Sequence, residues 1–187
     1  MLMISSAAMA APDSQQVGPY TVSFSLDANY QPQIAQPMEA EDTNAYSIRL
    51  FVDNSTFAVI DIIEYPQLTD STIEMHKNMM AMSMWMYEGL NATDIEDRVI
   101  DGKDGIVIKS EPVEAVAGAP SEVFKALYWL DSENCECGPV SVGTTRVIVT
   151  SLYPQDVTEA LLSSLSVVKG EASTAAPAAG GQVFPPE

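Results

Sequence analysis

The chain has 187 residues, 47% of them apolar, and its 26 acidic against 8 basic side chains give a formal charge of -18. Length and composition fit one ordinary domain with tails. The charge repels phosphate backbones, and the cations Arg49, Lys77, Arg98, Lys103, Lys109, Lys125, Arg146 and Lys169 form no stripe, so nucleic acid is not expected among the partners.

Met1 to Ala10 is uncharged and ends in Ala8, Met9, Ala10, a small-x-small pattern of the kind signal peptidases read. Residues 1–16 therefore read as a residual signal segment with a flexible N-terminus, and the protein as secreted or extracytoplasmic, at the cell surface. Nothing else approaches the ~18 apolar residues of a membrane span, so none is expected. Residues 17–169 form a single domain, and 170–187 (GEASTAAPAAGGQVFPPE) a disordered low-complexity tail, too poor in apolar area to offset ordering entropy.

Tyr20 to Leu26 alternates apolar and polar residues with a period of two, the mark of a half-buried strand. A loop follows, with Pro32, Pro37, Glu41 and Asp42. Tyr46 to Val52 and Phe57 to Tyr65 are β-rich runs joined by Asp53, Asn54, Ser55 and Thr56, which predicts a hairpin. At Ser71 the period changes. Ser71 and Glu74 form a capping box, good helix formers run to Glu88, and Gly89 stands at the stop. This predicts a helix of about five turns. Ile73, Met75, Met79, Met82 and Met86 lie on one stripe, flanked by His76, Met80, Met84 and Tyr87, so the helix should be covered on most sides.

Arg98 to Asp101 and Ile106 to Ser110 bracket Gly102, Lys103, Asp104 and Gly105, a second hairpin whose glycines are expected at positive φ. Pro112 to Pro120 is a loop, while Glu122 to Leu130 and Gly143 to Leu152 read as strands around an acidic loop, Asp131 to Gly138. A last helix opens at Pro154, with Asp156 and Glu159 as its capping box and Val157, Leu161, Leu162, Leu165 and Val168 as its buried face. The order predicts an α+β fold: a mainly antiparallel sheet of about six or seven strands, with the long Met-rich helix and the C-terminal helix packed on it.

The strand YTVSFSL, the hairpin YSIRLFVDNSTFAVIDIIEY, the helix from Ser71, the turn IDGKDGIVI and the closing GTTRVIVTSLYPQDVTEALLSSLSVV resemble the PsbP-like fold. That fold is the αβα sandwich of extrinsic photosystem proteins and of a nuclear-transport cofactor. The likeness covers nearly all of Tyr20 to Val168, and the chain is also similar to exported archaeal-type proteins. The resemblance implies a binding or assembly factor. These motifs are patterns of fold without chemical residues, so no functional residue is carried over.

His-based catalysis has little to work with, because the one histidine, His76, lies in the Met-rich helix. Pro139, Val140, Ser141, Val142, Gly143 lacks the first glycine of a nucleophile elbow, and no phosphate-cradling glycine motif occurs. Carboxylate pairs such as Asp61 with Glu64, or Asp101 with Asp104, read more plainly as exposed charges. A calcium loop fails in both registers: from Asp97 the third position is Val99, and from Asp101 the twelfth is Pro112. No catalytic residue, cofactor or metal site is assigned.

Three features stay open. Cys135 and Cys137 flank Glu136 and form a strained disulfide, capture a soft metal, or stay unpaired or paired to another chain. Six of the ten methionines fall between Met75 and Met86, as adaptable core, as a plastic partner surface, or, with His76 and Met80, as soft copper ligands. Asn54 and Asn91 head Asn-x-Thr triplets and are glycan acceptors if the chain is exported. The leading expectation is a non-enzymatic exported binding or assembly module with an acidic surface, partnered by a protein or cell-surface component. The alternatives are a small copper- or zinc-handling protein using Cys135, Cys137, His76 and Met80, and an enzyme working through carboxylates alone.

Overall fold

The computed structural model describes residues 12–40, 43–114, 120–131 and 140–170; the side chains of 66–76 and 140–143 are outside that description. Two antiparallel sheets carry the fold. The small one orders β1 (Asp13–Val17), β2 (Tyr20–Phe24) and β11 (Ser166–Lys169) side by side. The large one orders β3 (Gln31–Ile34), β5 (Thr43–Asp53), β6 (Thr56–Thr72), β10 (Val140–Ser151), β9 (Val123–Trp129), β8 (Lys103–Pro112) and β7 (Leu90–Ile100), and β4 (Met38–Ala40) also pairs with β5. Helix α1 (Ile73–Glu88) joins β6 to β7, and α2 (Gln155–Ser164) joins β10 to β11.

The α+β expectation is corrected here: among the described residues the protein is mostly β, about 60% strand and 17% helix, and a sandwich built with a long Met-rich helix is not shown. The physical reason lies in segments that sequence patterning under-reads. Asp13–Val17 pairs in register with β2 although its side chains are mostly polar, and two short strands, β3 and β4, line up on β5 within the proline-bearing loop. Leu90–Ile100 is a long strand because the β8 ladder supplies its backbone partners, even though six of its eleven residues are polar or charged.

The hairpin of β5 and β6 forms across Asp53–Thr56, with the Asp53 carboxylate accepting the Ser55 N–H at 2.8 Å. In the β7–β8 turn the positive φ angles fall on Asp101 and Gly102, while Gly105 sits in β8 against the Leu127 carbonyl, where an added Cβ would lie at 2.7 Å. Gly89, at φ +65°, stops α1 as its position predicted.

Period-two alternation gives the large sheet two faces. On one, Ile48 and Leu50 of β5, Ala58, Ile60 and Ile62 of β6, Ala126 and Tyr128 of β9 and Val147 and Val149 of β10 are buried under the small sheet and α2. The small sheet contributes Val17, Tyr20, Val22, Phe24 and Val167, and α2 contributes Leu161 and Leu162, followed by Leu165. Ser151 and Thr158 share a buried hydrogen bond of 2.7 Å, and the Tyr153 hydroxyl donates to the Leu50 carbonyl at 3.1 Å, so the polar groups that enter this core are satisfied. No side-chain cap closes the start of α2, where Thr158 N–H donates to the Pro154 carbonyl, and Asp156 is simply an acid in the first turn. Val168 is not on α2: the chain leaves the helix at Leu165 and Val168 is exposed in β11.

Candidate functional site

On the opposite face of the large sheet, α1 covers only the end formed by β7, β8 and β9. β6 and β7 run in the same direction, since an even number of antiparallel pairings separates them, so α1 is a crossover that lies along this face. Its sheet-facing line is Lys77, Met80, Met84 and Glu88, spaced three or four residues apart. Lys77 pairs with Asp97 of β7 at 2.7 Å, and Glu88 pairs with Lys125 of β9. Between these clamps Met84, 1% exposed, packs with Leu90, Ile108 and Val123, and its sulfur accepts the Ser110 hydroxyl at 3.8 Å.

The methionine stripe expected to be covered is therefore turned outward. Met79 is 54% exposed, Met82 57%, Trp85 61% and Met86 57%, with Tyr87 at 80% beside them. Apolar residues occupy most of the helix circumference, and the side turned inward is the one on which Lys77 and Glu88 pair with the sheet on either side of Met80 and Met84. Met75 and the His76 side chain lie outside the described side chains.

At the C-terminal end of α1 this outward face runs into an open hollow of about 740 Å³, lined by Trp85, Met86, Glu88, Gly89, Leu90, Pro112, Val113, Glu114, Pro120 and Val123. Among the described residues its wall holds two carboxylates and no cation. The described cations of this face that meet α1 are engaged: Lys125 on Glu88 and Lys77 on Asp97. Sequence reasoning passed over Pro112, Val113, Pro120 and Val123 as loop and strand; an exposed valine following a proline was the available signal.

The carboxylate pairs do not assemble. Asp61 and Glu64 are three apart on β6, so they point to opposite faces. Glu64 accepts hydrogen bonds from the Tyr20 hydroxyl at 2.6 Å, Lys169 at 2.7 Å and Asn44 at 3.2 Å. Burial pushes its carboxyl up, but Lys169, Tyr20 and Asn44 together outweigh that and hold it below its ordinary range. The Tyr20 hydroxyl is pushed up, first by burial and then by its bond to Glu64. Asp61, opposite Ile148, is raised by burial against the partial relief of a Ser47 hydrogen bond and the Lys125 charge. Asp101 turns inward to accept the Val167 N–H at 2.9 Å and the Tyr128 hydroxyl at 3.4 Å, whereas Asp104 is exposed. These carboxylates brace sheets and turns.

Among the described residues no group of three or more His, Cys, Asp or Glu is placed to hold a metal ion. Cys135 and Cys137 lie outside the described residues, and Met80 is half-buried against the Met84 cluster. Asn54 is exposed at the tip of the β5–β6 hairpin and Asn91 is exposed at the start of β7. No helix among the described residues is long and apolar enough to cross a membrane. No protein-family model, curated protein or solved structure matches the chain.

Proposed function

We propose that the chain is an exported, non-enzymatic binding or assembly module, and that its contact surface is the outward face of α1 with the adjoining hollow. One observation carries the reading: Met79, Met82, Trp85 and Met86 form a contiguous run at helical spacing, each more than half exposed, on a helix whose other side is pinned to the sheet. Exposing four large apolar side chains together costs solubility, and such patches on soluble proteins mark interaction sites. Methionine suits this use because its unbranched, polarizable side chain re-packs to fit the surface it meets. Tyrosine and tryptophan add wide contact area with few rotatable bonds. The acid-rich remainder keeps the free protein apart from other copies.

The test pairs recovery with footprinting. Proteins held by the wild-type chain are compared with those held by a Met82→Ser, Trp85→Ser double variant, and each recovered complex is treated with peroxide. The reading expects a partner lost with the variant, and protection of Met79, Met82 and Met86 in the complex. Partners retained equally by both chains, with these sulfurs still oxidised in the complex, would contradict it.

A further inference from the structure

Away from α1, across β5, β6 and β10, the same face of the large sheet carries two arginines that hold no carboxylate. Arg49 of β5 stands level with Val59 of β6, and Arg146 of β10 level with Ile63 of β6. Their strand neighbours Ile48, Leu50 and Val147 are buried under the small sheet, so alternation sends both arginines to the other side. The Arg49 guanidinium lies 3.9 Å from the centre of the Phe57 ring and 4.8 Å from that of Phe51. The Arg146 guanidinium lies 5.1 Å from Tyr65 and 5.9 Å from Trp129. Stacking engages the flat side of a guanidinium and leaves its N–H edge open to another partner. Among the described residues neither arginine makes a hydrogen bond or an ion pair; the Nε of each is buried without an acceptor, and the terminal nitrogens reach solvent. Lys77, Arg98, Lys109, Lys125 and Lys169, by contrast, each hold a carboxylate. With 26 acids against 8 bases, a lack of acids is not the reason. The described carboxylate between the two, Asp61 of β6, bonds to Ser47, and the cation acting on it is Lys125.

We infer that this part of the sheet is a docking surface separate from the outward face of α1, and that its occupant is an acidic segment of a partner protein with Asp or Glu side chains on Arg49 and Arg146. Charge complementarity selects the occupant, because the open edge of a guanidinium matches a carboxylate with two parallel hydrogen bonds. Between the arginines lie Val59, Ile63 and Ile148, all partly buried, an apolar floor suited to a polypeptide that interleaves apolar and acidic side chains. Two strands and four residues separate the arginine backbones, roughly 16 Å, and the side chains lean apart, Arg49 toward the β5–β6 turn and Arg146 toward Tyr65. The acids they hold therefore lie about 20 Å apart, roughly six residues of extended chain. Asp61 repels an acid placed midway. The chain as a whole, at -18, also repels such a segment, so attraction is confined to these two points and recognition depends on their spacing.

The full chain is titrated by calorimetry with synthetic 12-residue peptides of valine and serine that carry two glutamates six positions apart, two adjacent glutamates, or two glutamines six positions apart. The inference expects the spaced-glutamate peptide to bind, with at least roughly tenfold weaker binding by the glutamine peptide and several-fold weaker binding by the adjacent pair. In heteronuclear NMR of the wild-type chain, the same peptide should move the Nε–H signals of Arg49 and Arg146 and leave that of Arg98, held by Glu159, in place. Arg49→Lys with Arg146→Lys keeps the charge but removes the planar fork, and should weaken binding at least roughly fivefold. Lys103→Gln removes a described cation that has no ion pair and stands in the β7–β8 hairpin, and should weaken it less than about twofold. Equal binding of the glutamine peptide, or an equal loss with Lys103→Gln, would overturn the inference. So would Nε–H signals that stay in place with every peptide, a result that holds even where a variant fails to fold. A sulfated oligosaccharide moving both signals at lower concentration than the peptide would assign the face to a polyanionic sugar, and movement on concentrating the chain alone would assign it to a second copy; either overturns the inference. None of these outcomes touches Met79, Met82, Trp85 and Met86, so the contact surface on α1 stands or falls by its own test.

Discussion

The two faces of the large sheet are built from similar raw material and put to different use. One is closed: the small sheet and α2 cover Ile48, Leu50, Ile60, Ile62 and Tyr128, and the polar groups there find partners inside the protein. The other is only partly closed, since α1 buries Met84 while leaving Met79, Met82, Trp85 and Met86 to solvent. Hydrophobic sequence is therefore not equivalent to core. Where two layers meet over a full face, burial follows from alternation; where a helix is apolar on most sides, only the contacts it makes, here Met84 on Leu90, Ile108 and Val123 between two ion pairs, show which side is packed.

The largest contrast is in stability. Phe24→Ala in the closed core should cost about 3–5 kcal/mol in urea unfolding, the range for deleting a fully buried aromatic; a loss under 1 kcal/mol would mean that the small sheet is not part of the cooperative fold. On α1 the same deletion should separate neighbours: Met84→Ala is expected to cost about 2–3 kcal/mol and Met82→Ala within about 0.5 kcal/mol of zero. Equal losses would remove the distinction between the helix faces.

Two carboxylates of β6, Glu64 and Asp61, sharpen the comparison with opposite pH signs. Glu64 is held below its ordinary 4.5, so its contribution is complete above that value and disappears as pH falls through the lower folded value. Glu64→Gln should cost about 1–2 kcal/mol near neutrality, and the cost should vanish in acid. Asp61 is raised above its ordinary 3.8, so the wild-type chain carries a penalty that grows as pH rises from 3.8 through the folded value. Asp61→Asn should stabilise by about 1 kcal/mol at neutral pH and by nothing once Asp61 is protonated. Unfolding profiles of the two variants that bend in the same direction would contradict the opposite shifts of Glu64, held low by its partners, and Asp61, raised by burial.

Some of this was legible in the chain. The β5–β6 hairpin announces itself through Asp53–Thr56 between two β-rich runs, and Tyr20 to Phe24 through alternation, because in both cases the local chemistry and the burial agree. Other parts were not. Val168 continues the spacing of α2, so nothing local distinguishes a fifth turn-facing residue from the first residues of a strand; the strand wins because β2 offers a free ladder and Asp101 receives the Val167 N–H. The polar β1 and β7 form because the next strand of each hairpin, β2 and β8, supplies their backbone partners, a gain that side-chain alternation does not display. For the candidate site, the methionine concentration was plain but its orientation was not, since the contacts of the packed side, Lys77 with Asp97, Met84 with Ser110 and Glu88 with Lys125, join residues 20, 26 and 37 positions apart. The hollow was invisible because its walls come from four separate stretches.

The most direct measurement is the rate of peroxide oxidation of individual methionines in the free, folded chain, read by peptide mass spectrometry. Met79, Met82 and Met86 should oxidise at least about tenfold faster than Met84. Similar rates for all four, or Met84 reacting first, would mean that α1 does not present its sulfurs outward and would remove the surface on which the functional reading stands.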